Sequence, residues 1–306
     1  MVRIVILSTR SKRYHPNRRL LEAAHDLGHD PYLLHPMRVL AQVGGEGGVA
    51  SKLRVLPEVC LPRIGATIDE SELAVVYHME RLGVPVINGF SSLVVARDKF
   101  LSLRRLDSAK IPVPHSFLVT EFNQLKKAIQ ELGGFPVVMK ALRGRQGTGV
   151  YLVEDMEFAQ YIVNHPRHPG EGVLVQQYIQ SADAGDVRVV VVGGFAVGAM
   201  RRVPPKGDFR SNAHLRGKGT PWDPAPEWVE LALRAARALG LQVSGVDLME
   251  GQNGPVVLEV NTTPGFRELE RVTGLDVARA IILHAVRVAK EKGGYHEDCI
   301  SHGPTG

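Results

Sequence analysis

Val243-Ser-Gly-Val-Asp-Leu-Met-Glu-Gly-Gln-Asn-Gly-Pro-Val-Val-Leu-Glu-Val-Asn-Thr-Thr-Pro-Gly265 is the stretch on which the fold turns. Two apolar runs of alternating polarity flank Gly251-Gln252-Asn253-Gly254, a strong turn signal, so a β-hairpin is expected. A three-residue loop, Gln252 to Gly254 with Gly254 left-handed, sets Gly251 against Pro255 and Asp247 against Glu259. One face then carries Val246, Leu248, Val256, Leu258 and Val260. The other carries Asp247, Glu259 and Asn261. A slip of one residue would mix these carboxylates with core positions, so the pattern specifies the pairing.

Two carboxylates and a side-chain carbonyl are hard oxygen ligands. They suit Mg²⁺ or Mn²⁺, ions usually shared with substrate phosphates. The plain alternative is a solvated face on which Asp and Glu meet water. The apolar surroundings favour the ion, because carboxylates packed side by side repel unless a cation sits between them.

GVDLM followed by EVNTTPG resembles the metal-binding end of ATP-grasp ligases. It is most similar to the RimK-like branch, which adds amino acids, often glutamate, to a carboxylate. The likeness continues along most of the chain in the family's order. PRIGAT contains Arg63, ARDKF contains Lys99 and PVVMK ends at Lys140; GRQGTGV, VQQYI, GDVRVVVVG and GDFRSN follow.

The resemblance implies an α/β chain, α+β in its C-terminal part, with the ATP-grasp fold: two α+β subdomains clasping ATP behind a small parallel-sheet domain. The implied boundaries are 1–90, 91–178 with the glycine-rich loop, 179–292 with the metal site, and a tail over 293–306. It implies ATP with two Mg²⁺ or Mn²⁺ ions on Asp247, Glu259 and Asn261. Lys99, Lys140, Gly144, Gly147, Thr148 and Gly149 would hold phosphates. Gln176, Gln177 and Tyr178 form the adenine hinge, with backbone contacts at Gln177 and Tyr178; related enzymes often carry glutamate in place of Gln177. Asp186, Arg210, Ser211 and Asn212 lie on the nucleotide side. Arg188, Arg202 and Arg210 would steady an acyl phosphate, while Arg63 and Asn261 face the substrate. The reaction implied is ATP-dependent joining of L-glutamate to a protein, peptide or small-molecule carboxylate, a protein C-terminus among them. The rivals are a relative using another amino acid or acceptor, of lysine-biosynthesis, glutathione-synthetase or cofactor-glutamylation type, and a non-catalytic nucleic-acid-binding protein.

The residues give independent support. Val138 and Lys140 share a strand face by period two, so a lysine enters an apolar run and must snorkel out or meet an anion. Arg143-Gly-Arg-Gln-Gly-Thr-Gly149 follows directly, and its glycines let backbone N–H groups approach phosphate oxygens. Arg188 and Arg202 lie on strands otherwise built of valine, alanine and glycine, where a guanidinium requires an anion, either internal or from substrate.

The chain has 306 residues, more than one core usually accommodates. Net charge is +5, from 37 basic and 32 acidic residues, but the basic residues are scattered without aromatic interleaving, which argues against nucleic acid. No apolar run is long enough for a membrane span, and Met1 to Ser8 enters a strand without a cleavage pattern. Cys60 and Cys299 suggest no disulfide framework, so a reducing cytoplasm is the simplest compartment. The state of assembly is open, and a homo-oligomer fits.

In order, strands are expected at Val2 to Leu7, Pro31 to His35, Val59 to Gly65 and Val84 to Asn88. Helices are expected at Asn17 to Leu27 and Asp69 to Leu82. The first loop has no glycine, which removes the dinucleotide fingerprint; its Arg10, Lys12 and Arg13 are open to anions. Gln42 to Ala50 is a glycine-rich loop. Two helical segments over Ser91 to Ala109 meet at Asp98-Lys99. Strand Val113 to Val119, helix Glu121 to Leu132, strands Pro136 to Ala141 and Val150 to Val153, helix Met156 to Asn164 and strand Val173 to Ile179 come next. A second hairpin spans Asp186 to Val203. Helices Trp222 to Leu239 and Leu275 to Lys290 bracket the central hairpin.

Overall fold

The computed structural model describes residues 1–44, 55–64, 69–144, 149–166, 170–180, 185–204 and 218–298. Most of the expected loop at 42–50 and all of 206–212 lie outside them, as do Gly147, Thr148, Arg210, Ser211 and Asn212.

The N-terminal part is a parallel sheet of β1 (Arg3–Leu7), β2 (Asp30–Leu34) and β3 (Val59–Pro62), ordered β2-β1-β3. Helix α1 (His15–Asp26) packs with Ile4 and Ile6, whereas α2 (Glu70–Arg81) packs with Val5, Leu7 and Cys60. Burial on both faces explains the unbroken apolar reading of β1. Asp69 and Glu72 form a reciprocal cap at the start of α2. The strand expected over Val84 to Asn88 reduces to one parallel bridge, Cys60 to Val86. Pro85 has no N–H to extend that ladder.

Helices α3 (Phe90–Ala96) and α4 (Lys99–Ser108) lead into the next layer, with Asp98 capping α4 through the amide of Leu101. There β4 (Ser116–Val119), β5 (Val137–Ala141), β6 (Val150–Val153) and β7 (Val173–Gln177) make an antiparallel sheet ordered β4-β7-β5-β6. Helices α5 (Phe122–Glu131) and α6 (Met156–Asn164) cover one face of this sheet.

The last layer holds β8 (Asp186–Val192), β9 (Phe195–Val203), β10 (Lys218–Pro221), β11 (Val243–Gly251) and β12 (Gly254–Asn261), ordered β10-β9-β8-β11-β12. Helix α7 (Pro226–Ala238) covers one face; α8 (Arg267–Thr273) and α9 (Val277–Asp298) cover part of the other. The helix expected from Trp222 starts only at Pro226, in the first helical turn, where proline is favoured. Trp222 instead packs edge-on against Trp228. Helix α9 runs through Lys290 and the expected boundary at 293 to Asp298. Glycine within a helix costs about 1 kcal/mol without forbidding it.

The central hairpin keeps the expected pairs Val246–Val260 and Asp247–Glu259 and adds Gly245–Asn261. Its turn differs. Gly251 pairs with Gly254 around a two-residue turn, and a bulge at Leu258 shifts the ladder so that Leu248 pairs with Val257. The shorter turn and the extra residue offset each other. Val257, rather than Val256 and Leu258, therefore fills the core face beside Val246, Leu248 and Val260. Among the described residues no helix is long and apolar enough to cross a membrane.

Candidate active site

Alternation along β8, β9, β11 and β12 separates the two faces of the large sheet. Val187, Val189, Ala199, Val246 and Leu248 turn toward α7. Val190, Val192, Met200 and Val243, on the opposite face, lie in the core under α8 and α9. Asp186, Arg188, Arg202, Asp247, Glu259 and Asn261 occupy the other end of these strands.

Asp247 is the hub. Arg188 donates to both its oxygens, Nε to Oδ1 and Nη2 to Oδ2, each at 2.7 Å. Arg202 reaches Oδ2 at 3.0 Å, and Asn261 Nδ2 donates to the same oxygen at 3.2 Å. Arg202 also donates through Nε to Asp186 at 2.5 Å. The cations between these carboxylates are guanidinium groups, and the partners that Arg188 and Arg202 required are internal. Burial by itself would raise the pKa of Asp247, but Arg188 and Arg202 outweigh it and hold the carboxyl below its usual range. Asp186 moves the other way: burial and the neighbouring Asp247 raise it against the pull of Arg202. Burial opposes the charge of Arg202, yet the two carboxylates leave it more firmly protonated than usual.

Lys140 approaches from the small sheet. Its ammonium donates to Gln176 Oε1 at 2.6 Å, Gln176 Nε2 donates to Ser116 Oγ at 2.9 Å, and Ser116 Oγ donates to the carbonyl of Pro114. Gln176 is thus a holder of Lys140, and Ser116, which sequence reasoning passed over, holds Gln176. Burial lowers the pKa of Lys140 to about 8, opposed by Glu259 and reinforced by Lys99. Lys140 thus feels both the carboxylates of the large sheet and the start of α4. Gly144 is buried, and the carbonyl of Gly149 accepts the amide of Ala141 at 2.8 Å. The Gln177 amide is taken by the carbonyl of His115 at 2.8 Å. Tyr178 is half-buried next to it.

Arg63 comes from the end of β3. It is buried, donates to the carbonyl of Pro264 at 2.7 Å and lies over the Phe266 ring at 5.7 Å. Its Nε has no hydrogen-bond partner, and burial brings its pKa down to about 10 against a smaller opposing effect of Tyr14. Asn88 was not anticipated. Its Nδ2 donates to the carbonyls of Val243 and Thr262, and its Oδ1 accepts the amides of Gln242 and Val243. It clasps both ends of the central hairpin from the N-terminal domain. The only sequence signal is a polar residue closing the apolar run Val84-Pro-Val-Ile.

The residues present fit a hard divalent cation. Among the described residues, Glu259 accepts no hydrogen bond, Asp247 Oδ1 takes a single donor, and Asn261 leaves its side-chain oxygen unused. Among the described residues no group of three or more His, Cys, Asp or Glu forms a ready metal cage. That suits an ion which completes its coordination with water and phosphate.

A lysine-bearing sheet facing a carboxylate–guanidinium cluster on a second sheet defines the ATP-grasp class. Residues 96–285 match the RimK-like ATP-grasp domain and residues 2–93 the RimK PreATP-grasp domain, so the chain belongs to the RimK-like ATP-grasp family. A relative described as probable alpha-L-glutamate ligase, from Methanococcoides burtonii, is 35% identical over 289 residues, covering 94% of this chain and 96% of that protein. The crystal structure of a RimK domain ATP-grasp protein from Sphaerobacter thermophilus superposes with a TM-score of 0.74 at 29% identity, covering 93% of this chain and 99% of that one. The ATP-grasp ligase PsnB, solved with a phosphomimetic variant of its minimal precursor, Mg and ADP, shares the fold, with a TM-score of 0.73 at 21% identity, covering 94% of this chain and 98% of PsnB. The protein is an ATP-dependent, ADP-forming ligase that joins an acid to an amino acid.

Proposed function

We propose that the enzyme joins L-glutamate to the carboxylate of a peptide or protein acceptor, in the cytoplasm, through an acyl phosphate. The observation that carries this reading is Arg63, a buried guanidinium at the cleft with no carboxylate partner among the described residues. Arg188 and Arg202, by contrast, are answered by Asp247 and Asp186. A dicarboxylic amino acid can answer Arg63, since a carboxylate matches the planar fork of arginine. The name carried by the Methanococcoides relative agrees.

An acceptor carboxylate oxygen attacks the γ-phosphorus of ATP, and the bond from that phosphorus to the ADP oxygen breaks. The amine of glutamate then attacks the acyl carbon. A C–N bond forms, inorganic phosphate departs, and the amine gives up a proton to solvent. Lys140, held by Gln176, carries positive charge to the phosphates, with Lys99 and the 144–149 loop beside it. Arg188 and Arg202 orient the acyl phosphate, Arg63 takes a substrate carboxylate, and Tyr178 borders the adenine. Arg210, Ser211 and Asn212 belong to the nucleotide side of the same proposal. Asp247, Glu259 and Asn261 supply oxygen ligands for Mg²⁺ or Mn²⁺, two ions being proposed, whose chemistry when bound is to neutralise phosphate charge.

The test is ADP release with each amino acid in turn and a mixture of Glu-ending peptides, read with product mass. Glutamate should support turnover and add one glutamyl mass. Turnover with lysine or alanine and none with glutamate or aspartate rejects the glutamate assignment.

A further inference from the structure

A cavity of about 570 Å³ opens beside the cleft, between α1 and α8. It is lined by His15, Arg18 and Arg19 from α1 and by Arg267, Glu270 and Arg271 from α8, and it extends to Asp276. Four guanidinium groups therefore face two carboxylates. Both carboxylates are already engaged: Arg19 donates to Glu270 at 3.2 Å and to Asp276 at 3.0 Å. Among the described residues Arg18 pairs with Glu22 at the surface, where such a pair is weak and readily exchanged, whereas Arg271 makes two bonds to Glu268, at 2.9 and 2.6 Å. The Arg267 side chain makes no hydrogen bond or ion pair among the described residues.

The fully buried Phe266 ring separates the cavity from Arg63 and touches both sides. His15 meets the Phe266 ring edge-on at 5.8 Å, and Arg63 lies over the same ring at 5.7 Å. A Cβ on Gly245 would meet Pro264 at 3.0 Å and Arg188 Nε at 3.5 Å, so the turn before Phe266 abuts the Arg188–Asp247 pair. His15, in the lining, and Arg63, beyond Phe266, each keep a buried ring or guanidinium nitrogen without a partner, His15 Nδ1 and Arg63 Nε.

We propose that this cavity docks the acidic residues of a polypeptide acceptor, those preceding the carboxylate that reacts at the cleft. The proposal rests on the reading of the acceptor as a peptide carboxylate. An extended chain advances about 3.3 Å per residue, so successive Asp or Glu side chains can reach Arg267, Arg18 and Arg271 in turn. Single-stranded nucleic acid would call for aromatic stacking platforms, and the lining offers none beyond His15.

The experiment measures fluorescence anisotropy of labelled peptides that all end in glutamate, one with Glu and one with Gln at the preceding positions. A single-stranded RNA of equal charge is the third probe. The wild type should bind the acidic peptide about tenfold more tightly than the Gln peptide, the size given by two surface charge contacts. Arg18→Gln combined with Arg267→Gln should erase that preference, and raised salt should weaken it. Arg267→Glu alone, a single exposed change, serves if the double variant misfolds, and should reverse the preference. Equal binding of the two peptides by the wild type overturns the proposal. So does a folded variant that keeps the preference, or RNA binding that exceeds the peptide and falls with the same substitutions. Product mass is read separately. A docked acidic peptide that gains no glutamate would reject the proposed reaction and leave the docking site standing.

Discussion

Lys140 sets the pH range in which the cleft is ready for a polyanion. Burial brings its pKa down to about 8, with Glu259 opposing and Lys99 reinforcing the shift. The free enzyme holds the ammonium below about pH 8 and loses it above, whereas a phosphate beside it favours the charged form. Nucleotide binding above pH 8 must then take up a proton, and affinity should fall as pH rises. The same shift acts on folding with a fixed sign. A folded pKa below the unfolded value means that the buried charge costs stability below about pH 8. That cost is relieved as pH climbs toward the ordinary value of 10.5. Calorimetry of Mg·ATP binding in buffers of different protonation enthalpy counts the proton, and Lys140→Arg, which stays charged, should flatten the decline. Affinity that is level through this range in the wild type would remove Lys140 from the phosphate site. Asp247 and Glu259 should separate by their partners. Asp247→Asn leaves Arg188 and Arg202 buried beside a neutral amide, so it should cost about 3–5 kcal/mol in urea denaturation as well as activity. Glu259→Gln removes no hydrogen bond and should lose ADP release with stability close to that of the wild type. Alternation alone placed Asp247, Glu259 and Asn261 on one face. It also showed that Arg188 and Arg202 need an anion, but not which one. Asp247 comes from a strand far from both arginines in sequence, so its pairing exists only in the assembled sheet, whereas Asp186 faces Arg202 across the second hairpin.

At the scale of elements, the central hairpin shows how a register survives a wrong turn. The sequence pattern implied a three-residue loop; the chain uses two residues and restores the count with a bulge at Leu258. Only the positions between turn and bulge change face, so the carboxylates were legible and Val257 was not. Strand β10 and helix α8 escaped the sequence reading because neither carries a clean period. Helix α8 is seven residues long and is shaped by its packing through Leu269 beside Phe266. Asn88 is the element-level device that no local pattern reveals, since all of its side-chain partners lie at the two ends of the central hairpin. Asn88→Ala deletes bonds to Val243, Thr262 and Gln242, leaving buried backbone groups unpaired. It should cost about 2–4 kcal/mol in equilibrium unfolding. It should also lower kcat more than it raises KM for ATP, because Asp247 and Asn261 follow directly from the clasped ends. An unchanged kcat with the expected stability loss would limit Asn88 to a purely structural role.

The whole molecule is assembled from cores that do not respect the chain order. Ile4, Leu20 and Leu61 of the N-terminal domain share one core with Val190, Met200, Phe266 and Ile281 of the large sheet and its helices. The small sheet closes on its own core of Leu125, Met139, Val153 and Val175. Packing of this kind ties the first and last parts together, and we propose that the middle part moves against them as a second body. The groups proposed to act on the nucleotide are divided accordingly, with Lys140, Gly144 and Gly149 beside the small sheet and Asp247, Glu259 and Arg63 beside the large one. A nucleotide whose phosphates meet both sets should pull the bodies together, since charge paired across the cleft is worth more as water leaves it. Small-angle scattering with Mg²⁺ and a non-hydrolysable ATP analogue should show a smaller radius of gyration than the free enzyme. Amide exchange at Gly144 and Gly149 should slow in the same sample. Lys140→Met removes the small body's charge and should reduce both effects, while Glu259→Gln weakens the pull from the other side. If the scattering curve and the exchange at these glycines are the same with and without nucleotide, the cleft is preformed at its bound width. The division into two bodies would then have no part in the reaction.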